Sequence, residues 1–414
     1  MIGAIVVIVI LAGALGVTAF QLFAAPAPAD DQLVTHPIGL AIAVTGSAYQ
    51  TEGPIRRDAA LLAVEQFNAN LAAANSPIRF EAIHEDTTGT ADGARAALET
   101  LAAAGVKIVV GPLSTGETSA IRDFVTTNKI VIISPSSTGT AAAIPNDFVF
   151  RAAPTDIPQA KALAQLVDRL GYTKVAVLHR QDDYGVGFGE LFEQELEQTY
   201  GGQVTLLNYN PESVALGTEV GQLNQAVIDF SGPDSEKAAL VVAFDADGRE
   251  IFSEATLLSP INSIQWFGSE SMRRGTFLDD AAAFSFIDSV NLTGFFASPA
   301  ENAVLLAFEE AYKAKYPGTD PRASPYSFYA YDSAWMLMLA VMAAGVYDGD
   351  AIASVLPSVA ERYFGASGHK LMDENGDAAG ADYVAWEATM VAGDPGFEEF
   401  AVWRFATGQL EFLP

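Results

Sequence analysis

Apolar runs of strand length alternate with helical stripes along most of this chain. Residues 38–44 form one such run, and across 58–71 Leu61, Val64, Phe67 and Leu71 fall on one helical face. The alternation continues with strands predicted at 78–83, 107–110 and 130–133, and helices at 91–104 and 117–128. Strands this uniformly apolar are covered on both faces, as in a parallel sheet. A second series repeats the architecture, with strands at 174–178, 204–207, 239–244 and 263–267 and helices near 157–170, 187–200, 219–230 and 248–257. After a strand at 291–297, helical stretches at 302–315 and 326–344 supply enough apolar surface to complete the first lobe. From Gly368 the tail returns to strand-like segments around Val384 and Val402. The predicted class is α/β, with two doubly wound lobes.

The N-terminus has a different pattern. Residues 1–24 carry no charged side chain, and 2–20 are almost entirely apolar, long enough at about 1.5 Å per residue to cross a bilayer. This segment is expected to be a transmembrane anchor or a signal segment. An uncleaved anchor is favoured, because a positive leading region is missing and the apolar stretch exceeds the usual roughly 7–15 residues of a signal core. Cleavage after Ala29, within Ala27-Pro28-Ala29, is the alternative, and either reading exports the rest. Residues 25–36, rich in Ala, Pro and Asp, are expected to be a linker.

At 414 residues, half of them apolar, the chain has enough core for two lobes. It has no cysteine, which excludes disulfides, a thiol-linked lipid anchor, thiolate metal sites and cysteine nucleophiles. With 51 acidic residues against 22 basic ones, the net charge of −29 repels nucleic acid and anionic headgroups, so no nucleic-acid partner is expected.

Two loops carry the most informative chemistry. Gly111-Pro112-Leu113-Ser114-Thr115-Gly116 and Ser134-Pro135-Ser136-Ser137-Thr138 each follow a strand and load hydroxyls just before a helix. A strand end that turns into a helix presents unpaired N–H groups and the positive end of the helix dipole, to which hydroxyls add donors for a small anion. Other motifs have plainer readings. Gly185-Val186-Gly187-Phe188-Gly189 is separated from its strand and lacks the acidic residue of a dinucleotide site, so it reads as a glycine turn opening a helix. No serine lies in a nucleophile elbow, and none of the four histidines, His36, His84, His179 and His369, has zinc-ligand spacing to another. Asp373-Glu374-Asn375-Gly376-Asp377 begins like a calcium loop, but Ala378 replaces the turn glycine and no glutamate stands at position twelve, so an acidic turn is preferred. Trp335, Met336 and Met338 read as core. No cofactor, metal site or enzymatic activity is expected.

The order of these pieces resembles the type I periplasmic-binding fold, and specifically the leucine/isoleucine/valine-binding protein family. The resemblance covers about residues 37–390 and rests on Ala41-Ile42-Ala43-Val44-Thr45-Gly46, the two hydroxyl loops, Asp183-Tyr184-Gly185, Gly268-Ser269-Glu270, Tyr329-Ala330-Tyr331-Asp332 and the 373–377 turn. It implies two Rossmann-like lobes joined by a multi-stranded hinge, with 37–154 and 299–366 in lobe 1 and 155–298 and 367–414 in lobe 2. It further implies that Thr115 and Thr138 hold a ligand carboxylate with their own N–H groups. Ser136 then accepts from the ligand ammonium through its carbonyl, Glu270 pairs with that ammonium, and Tyr184 closes over the ligand.

Ser114 and Ser137 complete the hydroxyl set. Tyr49 and Thr51 stand at the first strand's loop, followed by Arg56-Arg57, which would favour an acidic ligand unless solvated. Phe244 and Asp245, with Asp247 beyond, stand at a strand end where the acids could hold a polar or basic side chain. The expected function is extracytoplasmic capture of an amino acid, branched-chain or similar, by lobe closure and delivery to ABC permease subunits. The alternative is a ligand sensor for an amino acid or amide acting through a partner receptor. Membrane association is expected through the N-terminal segment.

Overall fold

The structure is a computed structural model that describes residues 33–414 apart from Ser47, Ser298 and Pro325. The expected anchor and most of the expected linker lie outside the described residues. The chain divides into two units. The first takes the chain through Ser137 together with Ile144–Ala153 and Pro299–Ala379, and the second takes Thr138–Ala143, Pro154–Ser298 and Gly380–Pro414. Both are α/β, and parallel strands dominate their sheets.

In the first unit the strands lie in the order Ile78–Glu85, Val34–Ala41, Ile108–Val110, Val131–Ser134, Val149–Pro154 and Asp377–Ala378. The sequence order therefore reverses between Val34–Ala41 and Ile108–Val110, and ligands of such sheets gather at the carboxyl ends of strands beside that reversal. The first strand starts four residues earlier than its apolar run, at Val34 instead of Ile38. Val34–His36, expected in the linker, pair with Ile78–Phe80. Pro37 is tolerated in this strand because pairing to Ile108–Val110 begins only at Gly39.

Helix Glu52–Ala73 packs on Ser327–Ala344, joined through Phe67 and Trp335 at 5.1 Å. Met336 and Met338 are fully buried, as expected of core residues. Ser327–Ala344 is apolar nearly all round because it is buried nearly all round. No single helix among the described residues is long and apolar enough to cross a membrane.

The second unit repeats the strand order with Gln203–Tyr209, Lys174–Arg180, Lys237–Val242, Gln265–Gly268 and Thr293–Phe296 in parallel, and extends it with antiparallel Tyr383–Val391, Asp394–Arg404 and Gln409–Phe412. Its reversal lies between Lys174–Arg180 and Lys237–Val242. Its aromatic core centres on Trp266, Phe252, Phe277 and Phe286, with the Trp266 indole N–H donating to the Ile261 carbonyl at 2.7 Å.

Several elements lie outside the pattern read from the sequence, among them Val149–Pro154, Gly349–Arg362 and Ala281–Ser289. Val149–Pro154 carries Arg151 at its middle, yet the guanidinium is fully buried and makes two 2.5 Å bonds to Asp377. Helix Gly349–Arg362 contains Pro357 but still buries Ile352, Leu356 and Ala360 on one face. Ala281–Ser289 is a short helix capped by Asp280. The Arg151–Asp377 pair also moves a boundary. Residues 367–379, expected in the second lobe, stay with the first unit, because Asp377–Ala378 forms an edge of its sheet and Arg151 N–H donates to the Gly376 carbonyl at 3.0 Å. With its carboxylate held by Arg151, and the Asp373 carboxylate accepting from Asn375 and Asp377 N–H, the 373–377 turn is a structural acidic turn.

Removing one partner of a buried ion pair leaves an uncompensated charge, at about 3–5 kcal/mol, whereas replacing both with apolar groups is often neutral. Urea unfolding is therefore expected to show Arg151→Met destabilised by about 3–5 kcal/mol and Arg151→Met/Asp377→Leu restored to near wild-type stability.

Candidate functional site

In the first unit the site begins at Gly111. Its φ of +107° and a Cβ position 2.1 Å from the Ala41 carbonyl oxygen exclude a side chain, so the loop after Ile108–Val110 lies against the end of the neighbouring strand. Ser114 then caps helix Thr115–Asn128. Its hydroxyl accepts from Glu117 N–H at 3.2 Å and donates to the Glu117 carboxylate at 2.7 Å, and that carboxylate also accepts from Ser114 N–H. This reciprocal capping box commits the Ser114 polar groups to the helix end. Glu117 is buried, and Thr87 donates a further hydrogen bond to it. Burial raises its ionisation above the usual carboxylate range, opposed by the Thr87 and Ser114 bonds and by the charge of Arg56.

Thr115 and Ser137 are both buried, with their hydroxyls 3.4 Å apart. Ser137 N–H donates to Ser134 Oγ, and Ser134 Oγ donates to the Pro112 carbonyl at 2.5 Å, so the two loops are knit together. The Ser136 hydroxyl donates to the Leu113 carbonyl at 2.8 Å and accepts from Arg56 at 3.1 Å. Gly116 has nothing within 4 Å of its Cβ position, so the first helical turn is open there.

Arg56 corrects the expectation of a cation offered to an acidic ligand or left in solvent. It is 2 % exposed and ion-paired with Glu52, and it donates to Ser324 Oγ at 2.9 Å. Its guanidinium lies 5.6 Å from the Tyr49 ring centroid and 4.9 Å from that of Tyr326. Arg56 thus binds the Tyr49 loop, the Ser136 loop and the Ser324 loop together. Arg57 pairs with neighbouring Asp58. Thr51 is exposed at the N-cap of Glu52–Ala73, and its side chain makes no capping bond.

Thr138, expected beside Thr115 in lobe 1, is counted with the second unit, where its carbonyl accepts from Asp156 N–H at 2.9 Å. Helix Asp183–Tyr200 starts earlier than its apolar stripe, so Tyr184 stands in its first turn. Tyr184 is buried, stacks on Phe244 at 5.7 Å and 12°, and donates to Ser271 Oγ at 3.2 Å. Burial, then the charges of Asp156 and Glu270, push its hydroxyl's ionisation well up, which places both carboxylates near it.

Glu270 is 5 % exposed, in a single turn just after Gln265–Gly268, and its N–H donates to Gln159 Oε1 at 2.9 Å. The buried Gln159, whose amide nitrogen makes no hydrogen bond, carries no motif that would single it out in the sequence. Phe244 precedes helix Asp245–Ala255 instead of ending a strand. Asp245 is held by Arg249 at 2.8 and 3.2 Å and by Thr276 at 2.6 Å, and Asp247 by Arg180 and Tyr209. Neither acid is offered to a basic side chain.

The structure therefore gathers hydroxyls and a helix N-terminus at one unit's strand reversal, and an aromatic pair with a buried glutamate at the other's. A model of the receptor family ligand-binding region matches residues 55–390. The chain belongs to this family. A curated relative, an uncharacterised protein of Methanocaldococcus jannaschii, is 23 % identical over 393 residues, 91 % of each chain. A leucine-binding protein from Thermotoga maritima superposes with a TM-score of 0.74 at 22 % identity, covering 89 % of this chain and 98 % of its own. An ABC-transporter solute-binding protein from Rhodopseudomonas palustris BisB5, solved with 3,4-dihydroxybenzoic acid, gives 0.71 at 19 % identity, with coverages of 89 % and 97 %. The fold is that of type I periplasmic-binding proteins.

Loss of a side-chain helix cap costs about 1 kcal/mol. Ser114→Ala is accordingly expected to lower unfolding stability by about 1 kcal/mol in urea titration, with native circular dichroism.

Proposed function

We propose that this protein is an extracytoplasmic solute-binding protein that captures an amino acid with an uncharged side chain and delivers it to an ABC permease. The observation that carries the reading is the opposite chemistry of the two strand reversals. Thr115, Ser137 and the open helix end suit a carboxylate, while Glu270, buried beside Tyr184, suits an ammonium. The ligand whose chemistry answers both sets, with Thr138 and the Ser136 carbonyl assisting, is a zwitterion.

Side-chain selection is assigned to the Tyr184–Phe244 pair and Tyr49. Because Asp245 and Asp247 are paired with Arg249 and Arg180, and Arg56 with Glu52, these aromatic faces favour an apolar side chain such as that of leucine. The leucine-binding relative supports this choice, and the transporter assignment of the Rhodopseudomonas protein supports delivery to a permease. The latter's aromatic acid, which has no ammonium, is the informative competitor.

Titration calorimetry against the common amino acids and 3,4-dihydroxybenzoate is expected to show binding of an aliphatic amino acid and none of the benzoate. Charge-assisted hydrogen bonds contribute about 1.5–3 kcal/mol, so Glu270→Gln is expected to weaken binding roughly 10- to 100-fold. Absence of amino-acid binding, or full affinity in Glu270→Gln, would overturn the reading.

A further inference from the structure

At the second unit's strand reversal, two helices begin side by side, and a single arginine joins them. Arg180, the last residue of Lys174–Arg180, donates through Nε to Asp182 at 2.7 Å and through a terminal nitrogen to Asp247 at 2.6 Å. Asp182 is the N-cap of Asp183–Tyr200, and its other oxygen accepts from Gly185 N–H at 2.9 Å. Asp247 stands in the first turn of Asp245–Ala255, and its other oxygen accepts from Phe244 N–H at 3.0 Å. Each carboxylate therefore uses one oxygen to hold a helix start and the other to hold Arg180.

The surroundings leave Arg180 little freedom. Gly185 is required, because a Cβ there would lie 2.3 Å from the Arg180 carbonyl oxygen. Tyr209, from the edge strand, donates to the same Asp247 oxygen that receives Arg180. The Arg180 side chain is 13 % exposed, and its guanidinium carbon lies 4.1 Å from the Phe244 ring centroid, close enough for a cation–π contact. Arg274 approaches the same ring at 5.5 Å. The two ends of this chain of contacts are Tyr184, two residues after Asp182, and Phe244, whose rings stack.

We propose that Arg180 is a positioning residue for ligand capture: its planar fork fixes the spacing of the two helix N-termini and so fixes the Tyr184–Phe244 pair. The ligand-facing part of this inference rests on the proposed amino-acid site. Lysine is a poor substitute for the fork, because its ammonium is a compact point charge on a flexible stem and does not hold two carboxylates at a fixed spacing.

The test uses Arg180→Lys and Arg180→Met, alone and combined with Phe244→Ala. Hydrogen exchange is read first, with no ligand present. Both variants are expected to speed exchange of the Gly185 and Phe244 amides at least about tenfold relative to amides in Ala91–Ala103, because the caps lose their anchor. Calorimetry with leucine is then expected to show Arg180→Lys weakened about tenfold in the wild-type background and less than about twofold in Phe244→Ala, the signature of two residues acting as a unit. Equal losses in both backgrounds, or unchanged exchange at Gly185 and Phe244, would overturn the inference. If Arg180→Met does not fold, Arg180→Lys, which keeps the charge, carries both measurements. If the unaltered protein binds no amino acid, the amino-acid reading fails, and the exchange result decides the anchoring role by itself.

Discussion

A parallel sheet whose strand order reverses sends the loops at its carboxyl edge apart, and the candidate ligand residues of this chain depend on that divergence. At each reversal a helix must start, and each helix start leaves N–H groups that need acceptors. The first unit meets that need with Ser114 and Glu117, and leaves the next residues, Thr115 and Gly116, at the helix mouth. In the second unit Asp182 and Asp247 do the same work, and Arg180 pairs with both. Capping requirements shape the candidate residues of each unit before any ligand is considered.

Charge is arranged the same way. The net charge of −29 describes the surface, while near the strand reversals acids and bases meet at short range. Arg56 answers Glu52, Arg180 answers Asp182 and Asp247, and Arg249 answers Asp245. Burial works against the Arg180 charge, but Asp247 and Asp182 outweigh it and hold the guanidinium more firmly protonated than an ordinary arginine. Such pairs add rigidity to the loops and withdraw their charge from recognition. Under the proposed function, aromatic faces and hydroxyls are left to define selectivity.

Most strands and helices are legible in the sequence, because a buried parallel strand has to be apolar and a core-facing helix has to be striped. Val149–Pro154 and Gly349–Arg362 escaped that logic, the first through a buried arginine whose partner lies 226 residues away, the second through an internal proline. Tyr184 and Glu270 are singled out by the resemblance and Phe244 by its place at a predicted strand end, whereas no local pattern distinguishes Gln159. Arg56, expected to favour an acidic ligand unless solvated, is instead buried between the near Glu52 and Ser324, 268 residues distant, and nothing local signals that Arg180 joins Asp182 to Asp247, 67 residues away. Burial of a charged side chain is a property of the folded neighbourhood, which local spacing does not encode.

Under the proposed function the ligand's two charges are read by two separate sets of residues, which makes des-amino and decarboxylated analogues the most direct probes. Competition calorimetry should show leucine displaced by neither isocaproate, which lacks the ammonium, nor isoamylamine, which lacks the carboxylate, each at least about 100-fold weaker than leucine given roughly 1.5–3 kcal/mol per charge-assisted bond and several bonds lost. Isocaproate binding as tightly as leucine would contradict it, because the Glu270 side would then contribute nothing.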